Sequence, residues 1–338
     1  MVIAKSVWPV DLVKRHILSQ RYVLGFVGIP LLFSLLLACG KPVDRSPGIQ
    51  KLKVVTTLFP LYDFAKQVGR ERSDVSLLLP PGVEPHSFEP KPGDVLKLEG
   101  GDLFIYTGRQ MEPWAETILK GVSTKGLVVV DASTGILPGE DKAPHILSRK
   151  PPGDSGDQHY HPGVDPHIWL DLGNARKMVD TILAGFVLRD PEHKEYYTRN
   201  AEEYKEKLAH LDAQYQDTLA ICKKRVIVHG GHFAFNYLAK RYHLVYMSAY
   251  SGSPDAEPTA RRLIELKEQL KKYDVHYIYY EELITPRVAE IIANETGART
   301  LKLNGAHNVT REELARGITF IEIMEQNLNN LKVGLECQ

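Results

Sequence analysis

The segment at residues 192–219 constrains this fold more than any other part of the chain. Tyr197, Ala201, Tyr204, Leu208, Leu211, Tyr215 and Leu219 recur at intervals of four and three, with Glu, Lys and Arg filling most of the positions between. That spacing lays one apolar stripe along one face of an α-helix. A helix of this length must bury its stripe against something, and it stands between two halves of similar character. It therefore reads as a stiff spine, with its tyrosines in the core rather than forming a binding platform.

The halves alternate short β-branched runs with helical patterns. In the first, residues 52–56, 75–79, 103–106 and 128–130 read as strands. Residues 61–68 and 92–99 read as helices, and the chain turns helical again from 174. In the second, 225–228, 244–247, 275–280 and 300–303 read as strands. Residues 233–242, 258–272, 287–296 and 318–331 read as helices. Alternation of this kind predicts parallel sheets with right-handed crossovers. The expected class is α/β: two lobes, each a parallel-type sheet flanked by helices, joined by one long helix. The expected boundaries are 51–190 for the first lobe, 191–221 for the linking helix and 222–338 for the second lobe.

Residues 132–164 break the pattern. They are rich in Pro, Gly, Asp and Ser and carry His145, His159 and His161. A loop of this length inside a compact domain is either functional or disordered. Its histidines suit weak metal scavenging or no specific task, and both readings stand.

The N-terminus points outside the cytoplasm. Lys14, Arg15 and Arg21 precede an apolar run from Tyr22 to Ala38, followed by Cys39. A basic region, a short apolar core and small residues before a cut site describe an export signal. A cysteine directly after the cut site resembles a bacterial lipoprotein signal, which would leave Cys39 as the lipidated first residue. A transmembrane anchor is the competing reading, but about 17 apolar residues is the low end for a span. Residues 1–38 are thus the expected signal and 39–50 a tether. The stretch before Lys14 is longer than a signal requires and leaves the true start codon open. Lipidation of Cys39 would leave Cys222 and Cys337, an even number in an oxidising compartment, and these two are expected to pair. The 42 basic and 42 acidic residues cancel, so no basic excess suggests a nucleic-acid partner.

Four histidines sit in turn-like contexts far apart in the chain. His86 lies in a Pro- and Gly-rich stretch at residues 80–90, His167 in Asp165-Pro166-His167, His232 in His229-Gly230-Gly231-His232, and His307 in Asn304-Gly305-Ala306-His307-Asn308. Imidazole is the commonest protein metal ligand, and three or four from distant loops suit a tetrahedral site. His86, His232 and His307 follow expected strands, where ligands bind in open α/β sheets. His167 precedes a helix. His229 competes with His232 but ends a strand and is expected to point into its lobe.

These motifs resemble the metal-binding solute-binding proteins of zinc and manganese ABC importers, the cluster A-I or zinc-uptake-protein-like family. The resemblance runs from about Lys51 onward. It rests on Gly82-Val83-Glu84-Pro85-His86, the stretch from Asp102 to Gly108 with Glu112 and Trp114 after it, and Asp165 to Asp171. It continues through His232 to Leu238, Glu257-Pro258-Thr259 and Tyr280-Glu281. It implies two α/β lobes on one long helix, capture of a metal ion outside the membrane, and delivery to an ABC permease. The family's last ligand is often an aspartate after the final strand. Here His307 stands in that region, with Glu281, Glu84 or water as alternatives for the fourth position. Family manganese binders tend to carry a carboxylate where this chain has His232. Nitrogen-rich coordination favours zinc, whereas manganese prefers oxygen.

The expected protein is thus a monomeric, lipid-anchored Zn2+ carrier of the cell envelope, on the periplasmic side in a Gram-negative bacterium, with His86, His167, His232 and His307 as ligands and no catalytic role. Mn2+ is the alternative cargo. A secreted zinc hydrolase is the alternative of another class. It would need an open metal position and a general base such as Glu281, and no His-Glu-x-x-His pair or nucleophile elbow occurs. An adhesin or metal buffer on the same fold is a third reading.

Overall fold

The computed structural model describes residues 50–137, 139–140, 164–250, 258–283 and 285–338. The expected signal, the tether up to residue 49 with Cys39, His145, His159, His161 and Glu257 lie outside the described residues.

The first lobe runs β1 (Leu52–Thr56), α1 (Phe59–Gly69), β2 (Ser73–Leu77), α2 (Pro92–Glu99), β3 (Leu103–Tyr106), α3 (Pro113–Gly121) and β4 (Val128–Asp131). Two-residue strands β5 (Gly139–Glu140) and β6 (Val164–Asp165) then pair antiparallel. A 3-10 turn at Ile168–Leu170 leads into α4 (Leu172–Arg189), and α5 (Lys194–Ala220) is the spine. The second lobe runs β7 (Val226–His229), α6 (Asn236–Arg241), β8 (Val245–Ser248), α7 (Ala260–Lys272), β9 (Tyr277–Tyr280), α8 (Arg287–Thr296) and β10 (Arg299–Lys302). The helices α9 (Arg311–Ala315) and α10 (Phe320–Gly334) follow.

Each lobe holds one parallel four-stranded sheet, in the orders β2-β1-β3-β4 and β10-β9-β7-β8. Numbered within its own lobe, the second order is also 2-1-3-4, so the two sheets share one topology. In both, the chain reverses direction across the sheet between the first and third strands. That is where the ends of an open α/β sheet leave a crevice.

The 27-residue α5 buries its stripe as the periodicity predicts, with Tyr197, Ala201, Tyr204, Leu208, Leu211, Tyr215 and Leu219 all enclosed. Its tyrosines are core residues, and their hydroxyls find partners, as burial requires. Tyr197 donates to Asp190 at 2.7 Å, Tyr204 to Asp63 at 2.9 Å and Tyr215 to the carbonyl of Met324 at 2.6 Å. One continuous apolar core joins α1 and α4, the spine, α6 and α10. Among the described residues no helix is long and apolar enough to cross a membrane.

Several expectations shift at element ends. The strand expected at 75–79 is Ser73–Leu77, because Leu78 and Leu79 are buried past its end rather than within it. The helix expected from 233 starts at Asn236, since the residues before it form the turn that aims His232. Helices α3 and α9 and the two-residue strands β5 and β6 were not expected. The bond between Cys222 and Cys337 is present.

Candidate metal centre

Four elements deliver one imidazole each to the space between the lobes. His86 comes from the loop between β2 and α2, and His167 from the turn ahead of α4. His232 follows β7 and His307 follows β10. Their ligating nitrogens all lie within 4.8 Å of one another. His167 Nε2 is 3.3 Å from His86 Nε2 and 3.2 Å from His232 Nε2. A tetrahedral ion with Zn–N bonds of 2.0–2.1 Å sets its nitrogens roughly 3.3–3.4 Å apart. His167, His232 and His307 are buried and His86 is half-buried.

Three of the rings are oriented from behind by carboxylates. Asp165 Oδ1 accepts the backbone N–H of His167 at 3.0 Å and faces its Nδ1 at 2.7 Å. Glu281 Oε2 contacts His232 Nδ1, and its Oε1 accepts the His232 backbone N–H at 3.1 Å. Glu282 Oε1 lies 3.0 Å from His307 Nδ1. An Nδ1–H given to a carboxylate leaves Nε2 as the bare donor and fixes the ring's direction, the usual support for a metal-bound histidine. His307 Nε2 is buried without a hydrogen-bond partner. A bare buried nitrogen is costly unless something outside the protein satisfies it.

Electrostatics match this arrangement. Burial, then the neighbouring rings, push the pKa of His86 and His167 well below the usual histidine value, so both stay neutral lone-pair donors. Burial also acts to lower His232, but the adjacent Glu281 overrides it and raises the net value. Burial alone would raise Glu281; His232 instead holds it down at about 2.

The loop carrying His86 is anchored across the cleft. Asn308, next to His307, donates to the carbonyls of Pro80 at 2.7 Å and Val83 at 2.9 Å. The carbonyl of His307 accepts from the Phe59 N–H at 3.1 Å. Trp169 donates to the Gly305 carbonyl at 2.8 Å, and its ring meets both His167 and His307 edge-on. Gly305 allows this packing: a Cβ there would lie 2.3 Å from His307 Cε1.

The structure brings all four predicted histidines together. It does not bring Glu84 or Glu281 into their ring. Glu84 accepts from the N–H and hydroxyl of Ser87 at 2.9 and 3.1 Å, and Glu281 stands behind His232. His229 points into its lobe as expected, its Nδ1 3.1 Å from both the His232 carbonyl and the Tyr246 hydroxyl. Burial pushes its pKa down to about 4. Sequence reading missed Asp165 and Glu282 as orienting carboxylates. The only available signal was an acidic residue two before His167 and a second glutamate beside Glu281.

Two parallel-sheet lobes on one helical spine, closed over a cage of imidazoles each fed by a different element, define a cleft-binding protein for a divalent metal ion. The sequence agrees. The chain belongs to the family of zinc-uptake complex component A, periplasmic, whose model matches residues 54–334. It is 38% identical over 316 residues to the high-affinity zinc uptake system protein ZnuA of Bacillus subtilis, covering 92% of this chain and 97% of that protein. It is 37% identical over 301 residues to the zinc-binding lipoprotein AdcA of Streptococcus pneumoniae, covering 88% of this chain but 58% of that longer protein. The crystal structure of the Zn(II)-bound ZnuA-like domain of AdcA superposes with a TM-score of 0.70 at 36% identity, covering 85% of this chain and 99% of that domain.

Proposed function

We propose that this chain captures Zn2+ outside the cytoplasmic membrane and passes it to an ABC permease for uptake, with His86, His167, His232 and His307 as the ligands. The observation that carries this is the 3.2–3.3 Å spacing of Nε2 atoms among His86, His167 and His232, with carboxylates behind the rings of His167, His232 and His307. Relatives named for zinc uptake and zinc binding support the same reading. An all-imidazole set favours zinc over manganese, which takes more oxygen ligands. Four protein ligands would fill a tetrahedral ion and leave no open position for a reactive water. Glu281, the general base a hydrolase would need, is committed to His232. The reading is therefore a carrier without catalysis. It includes lipid attachment at Cys39, a monomeric protein at the cell envelope, and lobes at 51–190 and 222–338 linked through 191–221.

Metal analysis of protein purified without added metal, followed by competition titration, tests it. One zinc per chain is expected. His86→Ala, His167→Ala and His232→Ala are each expected to weaken binding by orders of magnitude. His307→Ala should cost less, because water can take the vacated corner. Parental zinc affinity in His86→Ala or His232→Ala would overturn the assignment.

A further inference from the structure

Two short segments face each other across the cleft. One runs from His167 through the 3-10 turn to Asp171, and the other from His232 through α6 to Arg241. They meet twice. At one end His167 and His232 approach at 3.2 Å. At the other, Arg241 Nη1 donates to Asp171 Oδ1 at 2.9 Å. The same guanidinium forks onto Asp212 of the spine, through Nε to Oδ1 at 2.7 Å and Nη2 to Oδ2. Tyr242 adds a hydrogen bond to Asp212 Oδ1 at 2.9 Å. Asp171 is itself fixed, because its Oδ1 caps α4 by accepting from the N–H groups of Gly173 at 2.7 Å and Asn174 at 3.1 Å. The guanidinium reaches it only because residue 173 is glycine: a Cβ there would lie 2.6 Å from Arg241 Nη1.

Arg241 therefore belongs to the second lobe and holds one carboxylate of the first lobe and one of the spine. A planar fork suits this task, since it engages two acceptors with fixed geometry and stays charged at any physiological pH. Asp171 lies four residues after His167, joined to it by a fully buried turn at Ile168, Trp169 and Leu170. Movement of Arg241 away from Asp171 thus displaces the segment that aims His167 relative to the one that aims His232.

We infer that Arg241 is a positioning residue for the cage. Its bonds to Asp171 and Asp212 pin the two ligand-bearing segments together independently of the metal, and so set how long the metal is held. This rests on the carrier reading above. Its signature is in release: the pin holds the two segments together around a bound ion and makes no contact with the ion itself.

The test is zinc release from the full-length protein into excess chelator by stopped flow, alongside association rates and thermal melts of metal-free protein. Arg241→Gln is expected to speed release roughly tenfold, within the usual range of coupling between sites, with little change in association. Arg241→Lys, which keeps the charge but loses the fork, should fall between the two. Asp171→Asn keeps an acceptor for the α4 cap and should also speed release; combined with Arg241→Gln it should add less than its separate effect. Leu266→Ala, a core truncation in α7 within a separate apolar cluster, serves as a stability control and should leave release unchanged. The pin is refuted if Asp171→Asn and Arg241→Gln release zinc at the parental rate, or if Leu266→Ala speeds release as much as they do. A parent that takes up no zinc would instead refute the carrier reading.

Discussion

Asn327, on α10, grips the backbone of Asn304 from behind the second lobe. Its side-chain oxygen accepts the Asn304 N–H at 2.7 Å, and its amide donates to the Asn304 carbonyl at 2.7 Å. Asn304 in turn accepts the Ala306 N–H at 2.8 Å, and the Gly305 N–H donates to Glu282 at 2.6 Å. The closing helix thus holds the loop that ends in His307.

Asn327→Leu fills similar space but leaves two buried backbone groups of Asn304 unpaired. Each is expected to cost about 1–3 kcal/mol. Denaturant unfolding should register that loss, and competition titration should show weaker zinc binding through His307. An unchanged midpoint together with unchanged affinity would show that the loop is held by other contacts.

The orienting carboxylates should matter without touching the metal. Glu281→Gln and Glu282→Gln remove the charge behind His232 and His307 while keeping a side chain of the same shape. Loss of such a partner typically costs about 10–100-fold in metal affinity. The fold should persist by circular dichroism. Parental zinc affinity in both variants would mean the rings are aimed by packing alone.

Glu112 gives a pH dependence with a defined sign. It lies where β1 and β3 end, accepting from the Thr57 hydroxyl at 2.5 Å and the Thr107 N–H at 3.0 Å. Burial outweighs these donors and pushes its pKa from the usual 4.5 up to about 8. Below pH 4.5 folded and unfolded chains both carry the proton. Above that the unfolded chain loses it first, so stability falls by about 1.4 kcal/mol per pH unit until the folded state also ionises. Glu112→Gln should flatten this slope in denaturation curves taken between pH 5 and 8. An identical slope in the variant would remove Glu112 as its source.

The bond between Cys222 and Cys337 closes a loop of 115 residues between the start of the second lobe and the end of α10. Replacing both cysteines with serine should cost about 2–4 kcal/mol, as typical for a native disulfide. Zinc affinity should change little, because the four histidines come from other segments. Non-reducing mass spectrometry of the purified protein should show the linked peptides, and two free thiols there would contradict the pairing.

The sequence by itself determined the kind and order of the main strands and helices of both lobes, though not α3, α9, β5 or β6. The stripe from Tyr197 to Leu219, the β-branched runs and the Pro and Gly turns act through neighbours a few residues away, so period and turn chemistry encode them locally. The four histidines were legible for the same reason, each marked by its turn. Tertiary structure decided the order of the strands, which carboxylate backs which imidazole, and that Glu281 faces His232 rather than the metal position. It also decided that Asn308 holds Pro80, 228 residues away, and that Arg241 reaches Asp171 across 70. Such partnerships depend on where the folded backbone places distant side chains, and no local pattern in the chain records them.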